Sequence, residues 1–242
     1  MKLLFLPLLF LIGNAALVQA QDTLYLNSDN KPISKKKNAH HTKITTKTDT
    51  GYVVELLNKE QVLYSKTTYK DPELKITHGY SVGYLGKTKG SEGSYVNGKQ
   101  EGTWKYYHWD GNVSGVVNYK NGQKSGEEYF KPDGQKETDL TKTERLPSFP
   151  GGNKALGDFL IRTLKYPQPA KDRKVSGQVK VGFTVSTTGE LQDIRVISGP
   201  DDDLNKEALR VVRWMPQWTP GVQYNRPVKV AYVLPVNFRL TL

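Results

Sequence analysis

From Val228 to Leu240 the chain alternates with a period of two. Val228, Val230, Tyr232, Leu234, Val236, Phe238 and Leu240 are apolar and share one parity, while Lys229, Ala231, Val233, Pro235, Asn237 and Arg239 occupy the other. Successive side chains of a strand point to opposite faces, so this run reads as a long strand with one buried face. Pro235 falls inside it. Proline has no amide to donate, so the strand is expected at a sheet edge with its proline side turned outward. Lys229, Ala231 and Val233 would then offer free backbone groups, an edge able to accept a strand from another chain.

The residues before it supply partners. Gln178 to Val185 alternates, with Val179, Val181, Phe183 and Val185 on one side. Thr187-Thr188-Gly189-Glu190 is a turn, and Leu191 to Ile197 returns as the second strand of a hairpin. Asn153 is placed to cap a helix running to about Leu164, with Leu156, Phe159, Leu160 and Leu164 on one face. Tyr166-Pro167-Gln168-Pro169 ends it, because proline removes amides and restricts its predecessor. A second helix starts at Asp201-Asp202-Asp203 and carries Leu204, Ala208, Val211, Val212 and Met215 at helical spacing. Acids at its start and Arg210 and Arg213 near its end complement the helix dipole.

Upstream, the strongest signals are turns. Asn97-Gly98 and Asn121-Gly122 open two similar units, 24 positions apart, that close at Asp110-Gly111 and Asp133-Gly134. These dipeptides tolerate the positive φ of tight hairpins, and the aromatic residues between them favour strands. Over about residues 91–136 the units resemble MORN-type and antitoxin-like repeats. That resemblance implies a β-hairpin array. Trp104, Tyr107 and Trp109 could bind glycan or lipid, and read rather as the packing face of the repeats. Leu146-Pro147-Ser148-Phe149-Pro150-Gly151-Gly152 ends the repeats.

Several short runs in the last part occur together in a set order: Phe149-Pro150-Gly151-Gly152, Tyr166-Pro167, Gly177-Gln178-Val179, Gly189, Ala208-Leu209, Trp218-Thr219-Pro220-Gly221 and Pro235-Val236-Asn237-Phe238. In this order they resemble the TonB C-terminal domain over 149–240, in the form common in Bacteroidetes-type bacteria. The resemblance implies an α+β fold of about three antiparallel strands and two helices. It also implies that the domain grasps the TonB-box peptide of a TonB-dependent outer-membrane receptor by strand addition, in energy-coupled transport. The contact residues it implies are Tyr166, Pro167, Val228, Lys229, Val230, Ala231, Tyr232, Val233 and Leu234. Standard members also have an uncleaved N-terminal helix that engages the ExbB–ExbD motor and a Pro/Lys/Glu-rich spacer. Hairpin units stand here where the spacer would be.

Residues 1–20 read as a signal peptide. Lys2 precedes an apolar run from Leu3 to Ile12, and Val18-Gln19-Ala20 has a small-x-small ending. The expectation is export to the periplasm, with inner-membrane anchoring if the segment is retained. The expected division is therefore 1–20 signal, 21–50 basic and flexible, 51–145 hairpin repeats and 146–242 the TonB-like α+β domain, with a homodimer as one further arrangement. The chain has no cysteine and a formal net charge of +11. Part of that charge is a lysine run from Lys31 to Lys47 without an acid, which reads as a solvated segment.

Chemistry is sparse. Gly79-Tyr80-Ser81-Val82-Gly83 spells a hydrolase elbow, but that motif needs a helix after it and none is signalled. His40-His41 lacks further ligands at metal-binding spacing. Asp201 to Asp203 lacks the alternation of a calcium loop. No nucleotide, cofactor or nucleic-acid signature is found, and the reading is a binding protein rather than an enzyme.

Overall fold

The computed structural model describes residues 21–240; the expected signal peptide lies outside the described residues. The first half consists of strands β1 (Gln21–Leu26), β2 (Pro32–Ile33), β3 (His41–Thr48), β4 (Gly51–Leu57), β5 (Leu63–Tyr69), β6 (Thr77–Leu85), β7 (Thr88–Val96), β8 (Lys99–Tyr107), β9 (Val113–Lys120) and β10 (Gln123–Tyr129). They form one antiparallel sheet in the order β10-β9-β8-β7-β6-β5-β4-β3-β1-β2. The expected α+β chain with separate hairpin repeats is therefore overturned. The chain is mostly β, 50% strand and 16% helix, and is dominated by this ten-stranded ladder. Residues 21–50, expected as an irregular stretch, supply three of its strands.

The turn chemistry explains why the units merge. Asn97 and Gly98 have φ of 51° and 82°, and Val96 pairs directly with Lys99, so the connection is a two-residue hairpin. Asn121-Gly122 does the same between Lys120 and Gln123. Connections this short force each strand beside its predecessor, and the ladder simply continues. One face carries an aromatic cluster of Trp104, Tyr106, Val117, Tyr119 and Tyr129. Trp104 fits because Gly93 lies beneath it; a Cβ there would sit 2.3 Å from the indole. Tyr107 is only half-buried and Trp109 is 51% exposed, so the expected aromatic face includes neither in its cluster.

The remainder comprises α1 (Gly152–Thr163), α2 (Gln168–Asp172), β11 (Gly177–Val185), β12 (Leu191–Ser198), α3 (Asp202–Arg213), β13 (Gly221–Gln223), β14 (Arg226–Val228) and β15 (Val230–Phe238). Three corrections to the sequence reading arise here. Gly151, at φ 81°, caps α1 in place of Asn153. The Tyr-Pro-Gln-Pro stretch ends α1 but also starts a short helix, since proline is tolerated in a helix's first turn. The long strand breaks at Lys229, because Arg226–Val228 turns back to pair with Gly221–Gln223.

β12, β11 and β15 form a second, antiparallel sheet in that order. Its inner face packs Val179, Val181, Phe183, Val185, Leu234, Val236 and Phe238 against Leu204, Ala208 and Val212 of α3. Trp218 closes one end, edge-on to Phe183 at 5.3 Å and to Tyr232 at 5.0 Å. Gly189 is required there twice over. Its φ is 92°, and a Cβ would meet the Trp218 carbonyl oxygen at 1.9 Å.

Candidate functional site

β15 lies at the edge of the three-stranded sheet, and among the described residues it pairs only with β11. The ladder runs unbroken through nine pairs, from Val185↔Val230 to Gly177↔Phe238, with Pro235 opposite Lys180. In an antiparallel ladder, residues alternately direct both backbone groups toward and away from the partner strand. A proline fits without loss only in the outward phase. Ala231 and Val233 share that phase, so their N–H and C=O groups form the free edge.

The expected site residues separate into four groups. Tyr232 and Leu234 point inward and belong to the core. Ala231 and Val233 are exposed, Val233 by 52%. Val228 lies in β14, paired with Gly221; Lys229 is the exposed residue between β14 and β15; and Val230 begins β15. Tyr166 and Pro167 are at the other end. The Tyr166 hydroxyl donates to the Val175 carbonyl, and its ring stands edge-on to Phe238 at 5.7 Å. Pro167 caps α2. At about 3.3 Å per residue, a strand of this length holds its ends roughly 25 Å apart. The edge thus links the two clusters without bringing them together.

The electrostatics of this face are one-sided. Neither β11 nor β15 contains an acidic residue. Lys180 and Lys229 are exposed, and Arg145 is exposed on the segment leading into the domain. That segment runs beside β13, exchanging backbone hydrogen bonds between Arg145 and Val222 at 2.9 and 2.8 Å, and between Ser148 and Thr219 at 3.0 and 2.8 Å.

Sequence reasoning missed the tip of the β13–β14 hairpin. Tyr224 and Asn225 form its two-residue turn with φ of 53° and 59°, values usually left to glycine or asparagine. The Tyr224 ring stacks on Tyr106 of the first sheet, with centroids 3.5 Å apart and planes 10° from parallel. Asn225 donates to the Phe130 carbonyl, and Arg226 donates to the carbonyls of Gly90 and Tyr107. The available signal was a short apolar-polar run on each side of Tyr224-Asn225. A tyrosine is rarely read as a turn residue.

The other motifs have plain structural roles. Ser81 lies within β6, its Oγ 2.9 Å from the Thr67 hydroxyl, rather than on a strand-to-helix elbow. His41 Nδ1 is 3.0 Å from the Asn30 side-chain oxygen. Among the described residues no three His, Asp or Glu side chains group as a metal site. Asp201 caps α3, accepting from the amides of Asp203 and Leu204.

A sheet with one accessible edge and a helix-backed core is the architecture of the second half. Residues 162–240 match the family described as Gram-negative bacterial TonB protein C-terminal. The matched family is a non-enzymatic interaction domain that engages TonB-dependent outer-membrane receptors, in proteins that are periplasmic or anchored in the inner membrane. The match includes β15 and leaves the ten-stranded sheet outside it. No curated protein and no solved structure matches the chain. No helix among the described residues is long and apolar enough to cross a membrane.

Proposed function

We propose that this protein binds TonB-dependent receptors on the periplasmic side of the outer membrane by taking the receptor's TonB-box peptide as an added strand on β15, in support of energy-coupled transport. The observation that carries the reading is the unpaired, proline-marked edge inside the region that matches the TonB family. Main-chain hydrogen bonds to Ala231 and Val233 supply the affinity, and exposed side chains beside them supply selectivity. Tyr166 and Pro167 act at the far end, Tyr166 by packing against Phe238 and Pro167 by capping α2. Any coupling to the ExbB–ExbD motor depends on retention of residues 1–20.

The test is titration of the full chain with labelled TonB-box peptides. Binding is expected, and Val233→Pro, which deletes one outward amide at an exposed position, is expected to weaken it at least about tenfold. Equal affinity in the two proteins would remove strand addition at β15.

A further inference from the structure

The free edge begins beside a cleft of about 440 Å³. One wall is the segment Glu144–Leu146, the base is Val222, and the other wall is the bend Val228–Val230 where β14 passes into β15. Backbone pairing fixes both walls, since β13 is bonded to β14 on one side and to Arg145 on the other. Gly221 keeps β13 close to the start of β15; a Cβ there would meet a Val230 methyl at 2.6 Å. Leu146 is 77% exposed, an apolar side chain that the fold itself leaves uncovered. The acid on the rim, Glu144, is paired with Lys124 at 2.9 Å. Arg145 and Lys229 have no acidic partner among the described residues, so the uncompensated charge at the cleft is positive.

Resting on strand addition at β15, we propose that this cleft is a side-chain subsite for the guest strand, taking an apolar side chain flanked by a carboxylate. A peptide paired beside Val233 and Ala231 and continued by about two residues arrives at the cleft, given the rise of about 3.3 Å per residue. Its apolar side chain covers Leu146 and Val230, and its carboxylate meets Arg145 and Lys229. Glu144–Leu146 lie outside the region matching the TonB family, so this selectivity belongs to the chain's own junction and not to the matched domain alone.

The probes are acetylated, amidated ten-residue TonB-box peptides, each also made with every position in turn replaced by glycine. They are titrated by fluorescence anisotropy against the full wild-type chain and its L146A, L146E and V233P variants. In the wild type, one apolar position toward one end of the peptide is expected to lose about tenfold in affinity on replacement by glycine. In L146E that penalty disappears and the parent peptide binds about tenfold more weakly, with L146A intermediate. Leu146 is exposed, so the variants keep the wild-type circular dichroism. If L146E keeps both the wild-type affinity and the wild-type glycine profile while V233P fails to bind, the subsite is overturned and strand addition stands. If V233P binds as the wild type does, strand addition falls and the subsite falls with it.

Discussion

Glu92 in β7 holds three donors on one carboxylate. Lys89 Nζ and the Tyr80 hydroxyl reach one oxygen at 2.8 and 2.5 Å, and the Tyr107 hydroxyl donates to the other. These donors, Lys89 foremost and then Tyr107 and Tyr80, favour the charged form and hold the carboxyl down to about 2, from an ordinary 4.5. A folded-state value below the unfolded one gives stability that is fully present above about 4.5 and is lost as pH falls through about 2. Glu92→Gln keeps the shape and deletes the charge. It is expected to be less stable than the wild type at neutral pH, and the gap should close as pH falls. Urea unfolding of both proteins at about pH 7, 4 and 2.5 measures this. A gap independent of pH would show that the charge contributes nothing. The residue scale also shows what sequence conceals: nothing near Glu92 in the chain announces Tyr80 or Tyr107 as its partners, because the ladder brings them together from neighbouring strands.

At the scale of elements, the two sheets manage their edges differently. β10 is exposed along Gln123–Glu128 and rich in charge, which discourages pairing. β15 is long and uncharged, and its one blunting feature is Pro235. Pro235→Val therefore restores an outward donor and completes the edge. Concentration-dependent self-association is expected to rise, visible by sedimentation velocity, with the fold's stability little changed. Should the variant instead stay monomeric and gain stability, the residue's amide would face β11 and the free edge would be misassigned. β15 and β11 were legible because one face is buried and the other wet, which writes a period of two into the residues. β12 was legible as the returning strand of the hairpin, whereas the two register shifts in its pairing with β11 were not. In the first sheet β5 is half-buried at every position, so burial imposes no period there, and the Asn-Gly turns further on were the clearest signal. The break at Lys229 was invisible for the opposite reason. Val228 keeps the apolar parity of β15 while pairing with a different strand.

At the scale of the whole molecule, the question is whether the two sheets behave as one body. The β13–β14 hairpin, a two-stranded sheet of its own leading into β15, reaches the first sheet and is fixed by several independent contacts to it and to the segment that follows it. The Tyr224–Tyr106 stack is joined by a 3.2 Å contact between the Tyr224 and Tyr119 hydroxyls, and the Asn225 amide donates to the Thr143 carbonyl at 2.9 Å. Arg226 passes its guanidinium over the Tyr106 ring at 5.9 Å and supplies two carbonyls. A stacked aromatic pair contributes about 0.5–1.5 kcal/mol beyond its burial, and a hydrogen bond from a charged group about 1.5–3 kcal/mol. A typical domain is stable by only about 5–15 kcal/mol, so contacts of this size are enough to couple the two unfolding equilibria. The wild-type chain is therefore expected to melt in one calorimetric transition. Arg226→Ala strands the Gly90 and Tyr107 carbonyls and should separate the transition into two. Tyr224→Gly, which suits the left-handed turn but removes the stacked ring, should do the same while leaving the hairpin itself unstrained. If the sheets were tethered but independent, two transitions would be present from the outset and each substitution would shift one of them without creating another.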